Sequence, residues 1–97
     1  MSLKTIYPHI EKNPATCGGK ACIKGTRIRV LDIVSAGEHM GLSPDKICDQ
    51  FPELNLAQVH SALAYYYDNR QEIQADCESE RREVDRFKRE HPDQVAP

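Results

Sequence analysis

The chain has no tryptophan, two phenylalanines and 97 residues in which to build a core. A chain of that size is one domain at most, with or without an appendage, and its apolar interior supports a stability of only a few kcal/mol. Long apolar runs are lacking too: the longest falls far short of the ~20 residues that a membrane helix needs. The first residues, "MSLKTIYPHIEKNP", hold two prolines and no apolar signal core, so the expected compartment is the cytoplasm. Without an export signal, the four cysteines (Cys17, Cys22, Cys48, Cys77) read as free thiols, not as a disulfide framework. Only Cys17 and Cys22 are close, at C-x4-C, which is wider than the usual zinc knuckle. Zinc would need Cys48, Cys77 or a histidine to arrive from afar, so small half-buried cysteine is the better reading.

Glycine is scarce as well, and three of the five glycines fall in one stretch, "CGGKACIKGTRIRV", Cys17 to Val30. Four of the thirteen basic residues share it: Lys20, Lys24, Arg27 and Arg29. The charge runs as a gradient along the chain. Residues 1–30 carry six basic groups and one acidic, residues 31–71 carry two and six, and residues 72–97 carry five and eight. An anionic partner should therefore meet the N-terminal third first.

That third reads as short strands and turns. "ACI" and "RIRV" flank Lys24-Gly25-Thr26-Arg27 and predict a tight hairpin, with Gly25 at positive φ. Gly18-Gly19 and Asn13-Pro14 predict two further turns. From Val30 the apolar period becomes helical to about residue 40, and Gly41 is the expected C-terminal cap residue. Ser43 as N-cap, Pro44 at the first helical position and Asp45 in the first turn predict a second helix, which Pro52 ends near Phe51. Asn55 predicts the cap of a third helix, with Gln58 in a capping-box relation; Leu56, Val59, Leu63 and Tyr66 or Tyr67 form one face. Beyond it no glycine or proline occurs until Pro92, so this helix could simply continue. Ile73, Cys77, Val84 and Phe87 follow a heptad seam with a polar gap at Glu80: a thin stripe suited to a partner, or else the sparse apolar side of a solvated charged tail.

The candidate chemistries differ in strength. The phosphate-loop order is inverted, since Lys24 precedes Gly25, and no helix starts after Thr26 to aim amides at a phosphate. His9, His39, His60 and His91 are scattered, and nothing in the sequence joins Cys48 to His60 as a thiol–imidazole pair, so no catalytic residue, metal or cofactor is expected. The middle segment, "SPDKICDQFPELNLAQVHSALAYY", has helix-turn-helix proportions. Its second helix would expose Asn55, Gln58, His60, Ser61 and Tyr65, of which the two amides suit adenine edges. The segment is acidic, whereas phosphate binding wants cations. Lys20, Lys24, Arg27 and Arg29 would have to supply them.

Together, "CGGKACIKGTRIRVLDIV" and "GLSPDKICDQFPELNLAQVHSALAYYYDN" closely resemble the domain-of-unknown-function 433 family, over about residues 6–70. Its pattern has a Gly-Gly turn, I-x-G-T-R, an apolar helix, an S/T-capped second helix, Y/F-P-x-L and an Ala-rich helix. Ala21 stands where that family usually has proline, which loosens the turn, and Asn55 where threonine or serine is common, both competent caps. The resemblance implies a mainly α fold: a small three-helix, winged-helix-like helix-turn-helix domain (1–71) with a short N-terminal β-hairpin, then a long charged C-terminal helical extension (72–97). It also implies an antitoxin-like homodimer that binds operator DNA and covers a PIN-type nuclease toxin. Asn55 to Tyr65 would be the recognition helix, with Lys24, Arg27 and Arg29 as auxiliary contacts. Ile73, Cys77, Val84 and Phe87 would be the toxin or dimer seam. The competing expectation is a protein-interaction module in which the helix pair is only a bundle; the acidic middle segment favours it.

Overall fold

The computed structural model describes residues 3–4 and 6–92. Its N-terminal third is a three-stranded antiparallel sheet in the order β1 (Leu3–Lys4), β2 (Ile10–Asn13), β3 (Thr16–Ile23). Four helices follow: α1 (Val30–Val34), prolonged by a π-helical turn over Ser35–His39, then α2 (Pro44–Gln50), α3 (Leu56–Asp68) and α4 (Arg70–Glu90).

The sheet differs from expectation in where the hairpin lies. The pairing is β2 with β3 around Pro14-Ala15, and Ile10 faces Ile23 in register. The register slips at Lys12 and Asn13, because Cys17, Gly18 and Gly19 are all left-handed, with φ of 56°, 63° and 83°. The expected Gly-Gly turn is thus an irregularity inside a strand. The expected hairpin at Lys24–Arg27 is a shorter reversal, closed by one bridge between Cys22 and Arg29. Gly25 sits at φ 81° as its residue type predicts. Thr26 fastens this reversal: its hydroxyl donates to the Ile23 carbonyl at 2.9 Å and accepts from the Ile28 amide at 3.1 Å.

The helix signals hold closely. The Ser43 hydroxyl accepts from the Lys46 amide at 3.4 Å, with Pro44 opening α2. Asn55 and Gln58 exchange backbone-to-side-chain bonds of 2.9 and 2.8 Å, a complete capping box. Gly41, at φ 69°, takes the left-handed position that ends the first helix, where the Leu42 amide reaches back to the Ala36 carbonyl at 3.1 Å. The third helix does not run on unbroken. Asn69 leaves helical geometry at φ −135°, so α3 and α4 are separate elements.

One core joins sheet and helices. Ile10 and Ile23 from the sheet, Val30 and Ile33 from α1, Ile47 from α2, Val59 and Ala62 from α3 and Ile73 from α4 are all buried in it. The expected division between residues 71 and 72 falls in the first turn of α4, just ahead of the buried Ile73. Within the expected extension, residues 93–97 lie outside the described residues.

Candidate nucleic-acid interface

The segment between β1 and β2 stitches the cationic turn to α3. Two successive carbonyls do this: that of Pro8 accepts from the Ser61 hydroxyl, and that of His9 accepts from the Lys24 amide at 2.7 Å. The side of α3 around Ser61 and the Lys24–Arg27 reversal therefore hang from adjacent points of one loop. Lys24 and Arg27 are exposed, as are His9 and His60. Sequence reasoning left His9 unassigned. Its φ of 69° is the signal that picks it out: histidine is among the few side chains that occupy the left-handed region with any frequency. A short apolar pair, Tyr7 edge-on to Tyr65 at 5.2 Å between ring centroids, holds the loop against the body.

The expected contact residues separate into two groups. Asn55 and His60 are exposed, while Gln58 and Lys20 are half-exposed. The amide oxygens of Asn55 and Gln58 are engaged in the capping box, so any base contact must use their amide N–H groups or a remaining lone pair. Ser61 is half-buried and commits its proton to the Pro8 carbonyl.

Tyr65 and Arg29 are corrections. Tyr65 was expected on the exposed face but is 4% exposed, because the core stripe of α3 passes through Val59, Ala62, Tyr65 and Tyr66. Its hydroxyl donates to the Glu72 carboxylate at 2.8 Å, and Lys12 pairs with the same carboxylate at 2.9 Å. Burial, and then the bond to Glu72, pushes the Tyr65 hydroxyl up to about 12. Arg29 was expected as a phosphate contact but is already satisfied. Its guanidinium meets Asp32 at 2.9 Å and Glu80 at 2.5 Å. Asp32 first, then Glu80, holds it protonated well above its ordinary range. An arginine that bridges α1 and α4 in this way has no fork left for a phosphate.

Of the expected partner seam, Ile73 is 1% exposed and spent on the chain's own core, and Cys77 packs against it. Val84 and Phe87, at 46% and 47%, remain open. Cys48 lies half-buried against the core and His60 in solvent, on different helices.

What the fold and this surface define is a small helical domain, braced by an antiparallel sheet, with a cationic reversal beside one helix. The family model described as protein of unknown function (DUF433) matches residues 10–66, and the chain belongs to that family. It is also similar, at 31% identity, to a DUF433 member protein from Anabaena variabilis known from a crystal structure. The match has a TM-score of 0.63 and covers 70% of this chain and 66% of that one. No curated protein matches the chain. The matched residues, 10–66, end just before α4.

Proposed function

We propose that the chain is an antitoxin-like repressor: a helix-turn-helix protein that binds operator DNA and neutralises a PIN-type nuclease. The observation that carries the DNA half is the pair of adjacent carbonyls, Pro8 and His9, which ties the middle of α3, at Ser61, to the Lys24–Arg27 reversal. In this reading α2, the turn over residues 51–55 and α3 form the helix-turn-helix. The first turns of α3 enter the major groove, with Asn55, Gln58 and His60 toward base edges. Lys24 and Arg27, with His9 beside them, meet the phosphates of the flanking strand. Arg29 and Tyr65 take no part, Arg29 being held by Asp32 and Glu80 and Tyr65 being buried. The nuclease half rests on the family resemblance alone.

The test of the DNA half is a gel shift with the DNA upstream of the protein's own gene. Salt-sensitive binding at micromolar protein is expected, weakened by Lys24→Glu and Arg27→Glu; no binding overturns it. Co-purification with the product of the neighbouring gene tests the nuclease half.

One observation favours the second reading, an interaction module without DNA binding. Asp45, Asp49 and Glu53 are exposed on and after α2, where a helix-turn-helix approaches the phosphate backbone. In that case the same charge reversals leave every binding property unchanged.

A further inference from the structure

Among the described residues, the distal part of α4 packs against no other helix or strand; Phe87 stacks on His91 just past the helix end, at 4.3 Å between ring centroids. Every residue from Arg81 to Glu90 is exposed, including Val84 and Phe87 one helical turn apart. Beside the proximal part of the same helix runs a groove of about 540 Å³ between α4 and the α1/π-turn segment. Its floor is apolar, built from Leu31, Val34, Tyr66 and Cys77. Asp32, Glu38, Glu78 and Glu80 line its rim, against Arg81 as the cation among its walls.

The helix is self-complementary in two independent ways. Residues 70–80 carry one basic and four acidic groups, residues 81–90 five basic and three acidic. The apolar positions mirror this: Cys77 and Val84 are equally far from the Glu80-Arg81 step, and Ile73 and Phe87 match to within one residue. Two copies of α4 laid antiparallel about that step therefore bring acidic half to basic half. Val84 and Phe87 of each then come level with the groove of the other. A parallel pair would set like halves together. It would also need the space that α1 fills, since Ile73 faces its own body.

We infer that the occupant of the α1–α4 groove is the distal half of α4 from a second copy of this chain, bound reciprocally about a two-fold axis at Glu80-Arg81. Each copy then inserts Val84 and Phe87 over the other's Leu31, Val34 and Cys77, and lays Arg82 and Arg86 toward the acidic rim. An interface of this kind is isologous, so it closes at two chains and forms no filament. It deepens the proposed function by assigning the open tail to a dimer, which a nuclease would meet already paired. It does not depend on DNA binding, and the gel shift can succeed or fail without it.

The decisive experiment uses the full chain with Val84→Cys, oxidised gently in solution. In the antiparallel register the introduced thiol lies opposite the native Cys77 of the other copy. A disulfide-linked dimer is expected whose peptide map joins Cys77 to the introduced cysteine, and adding Cys77→Ser should abolish it. Sedimentation of the unmodified chain should give twice the 11.0 kDa of one copy. Phe87→Asp, on an exposed site that leaves folding intact, should reduce that to one copy. A single-copy mass for the unmodified chain overturns the proposal. So does a cross-link between two introduced thiols that survives Cys77→Ser, because that is the parallel pair.

Discussion

The two halves of α4 are both mostly polar in sequence, though opposite in net charge, and they have opposite fates in the fold. The proximal half is bound at three levels: Glu72 takes Tyr65 and Lys12, Ile73 enters the core, and Glu80 takes Arg29. The distal half, from Arg81 on, touches none of these and is exposed throughout. A charged helix is therefore fixed where long-range partners await its side chains, and composition does not reveal where that is. The partners are Lys12, Arg29 and Tyr65, each from a different element. The family match stops at residue 66, so the residues that receive α4 lie inside the matched region and the helix lies outside it.

The difference between the halves is largest at Ile73. Ile73→Ala should cost about 2–5 kcal/mol in chemical denaturation, as expected for a filled core position. Val84→Ala in the same helix should fall within about 0.5 kcal/mol in a single chain below its dimerisation range. Equal effects would mean that the two halves are not distinct. Next comes the clamp. Arg29→Met removes hydrogen bonds to two carboxylates and should cost about 2 kcal/mol. Glu80→Gln should cost less, since Asp32 still holds the guanidinium. Amide exchange in the proximal half of α4 should rise in Arg29→Met while the distal half stays as it was.

A smaller effect is expected in alkali. Tyr65 has its folded pKa raised to about 12, above its ordinary 10.0, so its neutral form stabilises the fold. That contribution is complete below pH 10 and is lost as pH rises toward 12. Burial raises Cys22 from its ordinary 9.0 to about 12, so its contribution begins to fall earlier, near pH 9, and overlaps this window. Tyr65→Phe should remove part of the alkaline loss, read as a flatter dependence of unfolding free energy on pH. An unchanged slope would show that Tyr65 is not held buried beside Glu72 in solution.

How much of this was legible in the sequence follows the range of each interaction. Ser43, Pro44, Gly41 and the Asn55–Gln58 box act within four residues, and each stands where its residue type placed it. The sheet was misplaced because three successive left-handed residues, Cys17 to Gly19, break the alternation by which a strand is recognised. Tyr65 was misread: "AYYY" offers three tyrosines, of which Tyr65 and Tyr66 both turn inward, and only packing against Tyr7 and Glu72 brings Tyr65 in with Tyr66. Arg29 was unreadable for a different reason, since Glu80 lies 51 residues away. The same correction sharpens the candidate surface. It removes one arginine and leaves Lys24 and Arg27 as the exposed cations of the reversal, joined by His9.

That this reversal and the exposed side of α3 form one DNA-facing surface is tested most directly by a salt titration. Binding of the upstream duplex is followed by fluorescence anisotropy for the unmodified chain, Lys24→Glu and Arg27→Glu. Each substitution should weaken binding and lower the salt slope by about 1 for every phosphate it leaves without a cation, with unfolding midpoints unchanged. Binding that ignores both substitutions, or no salt-sensitive binding at all, would contradict the claim.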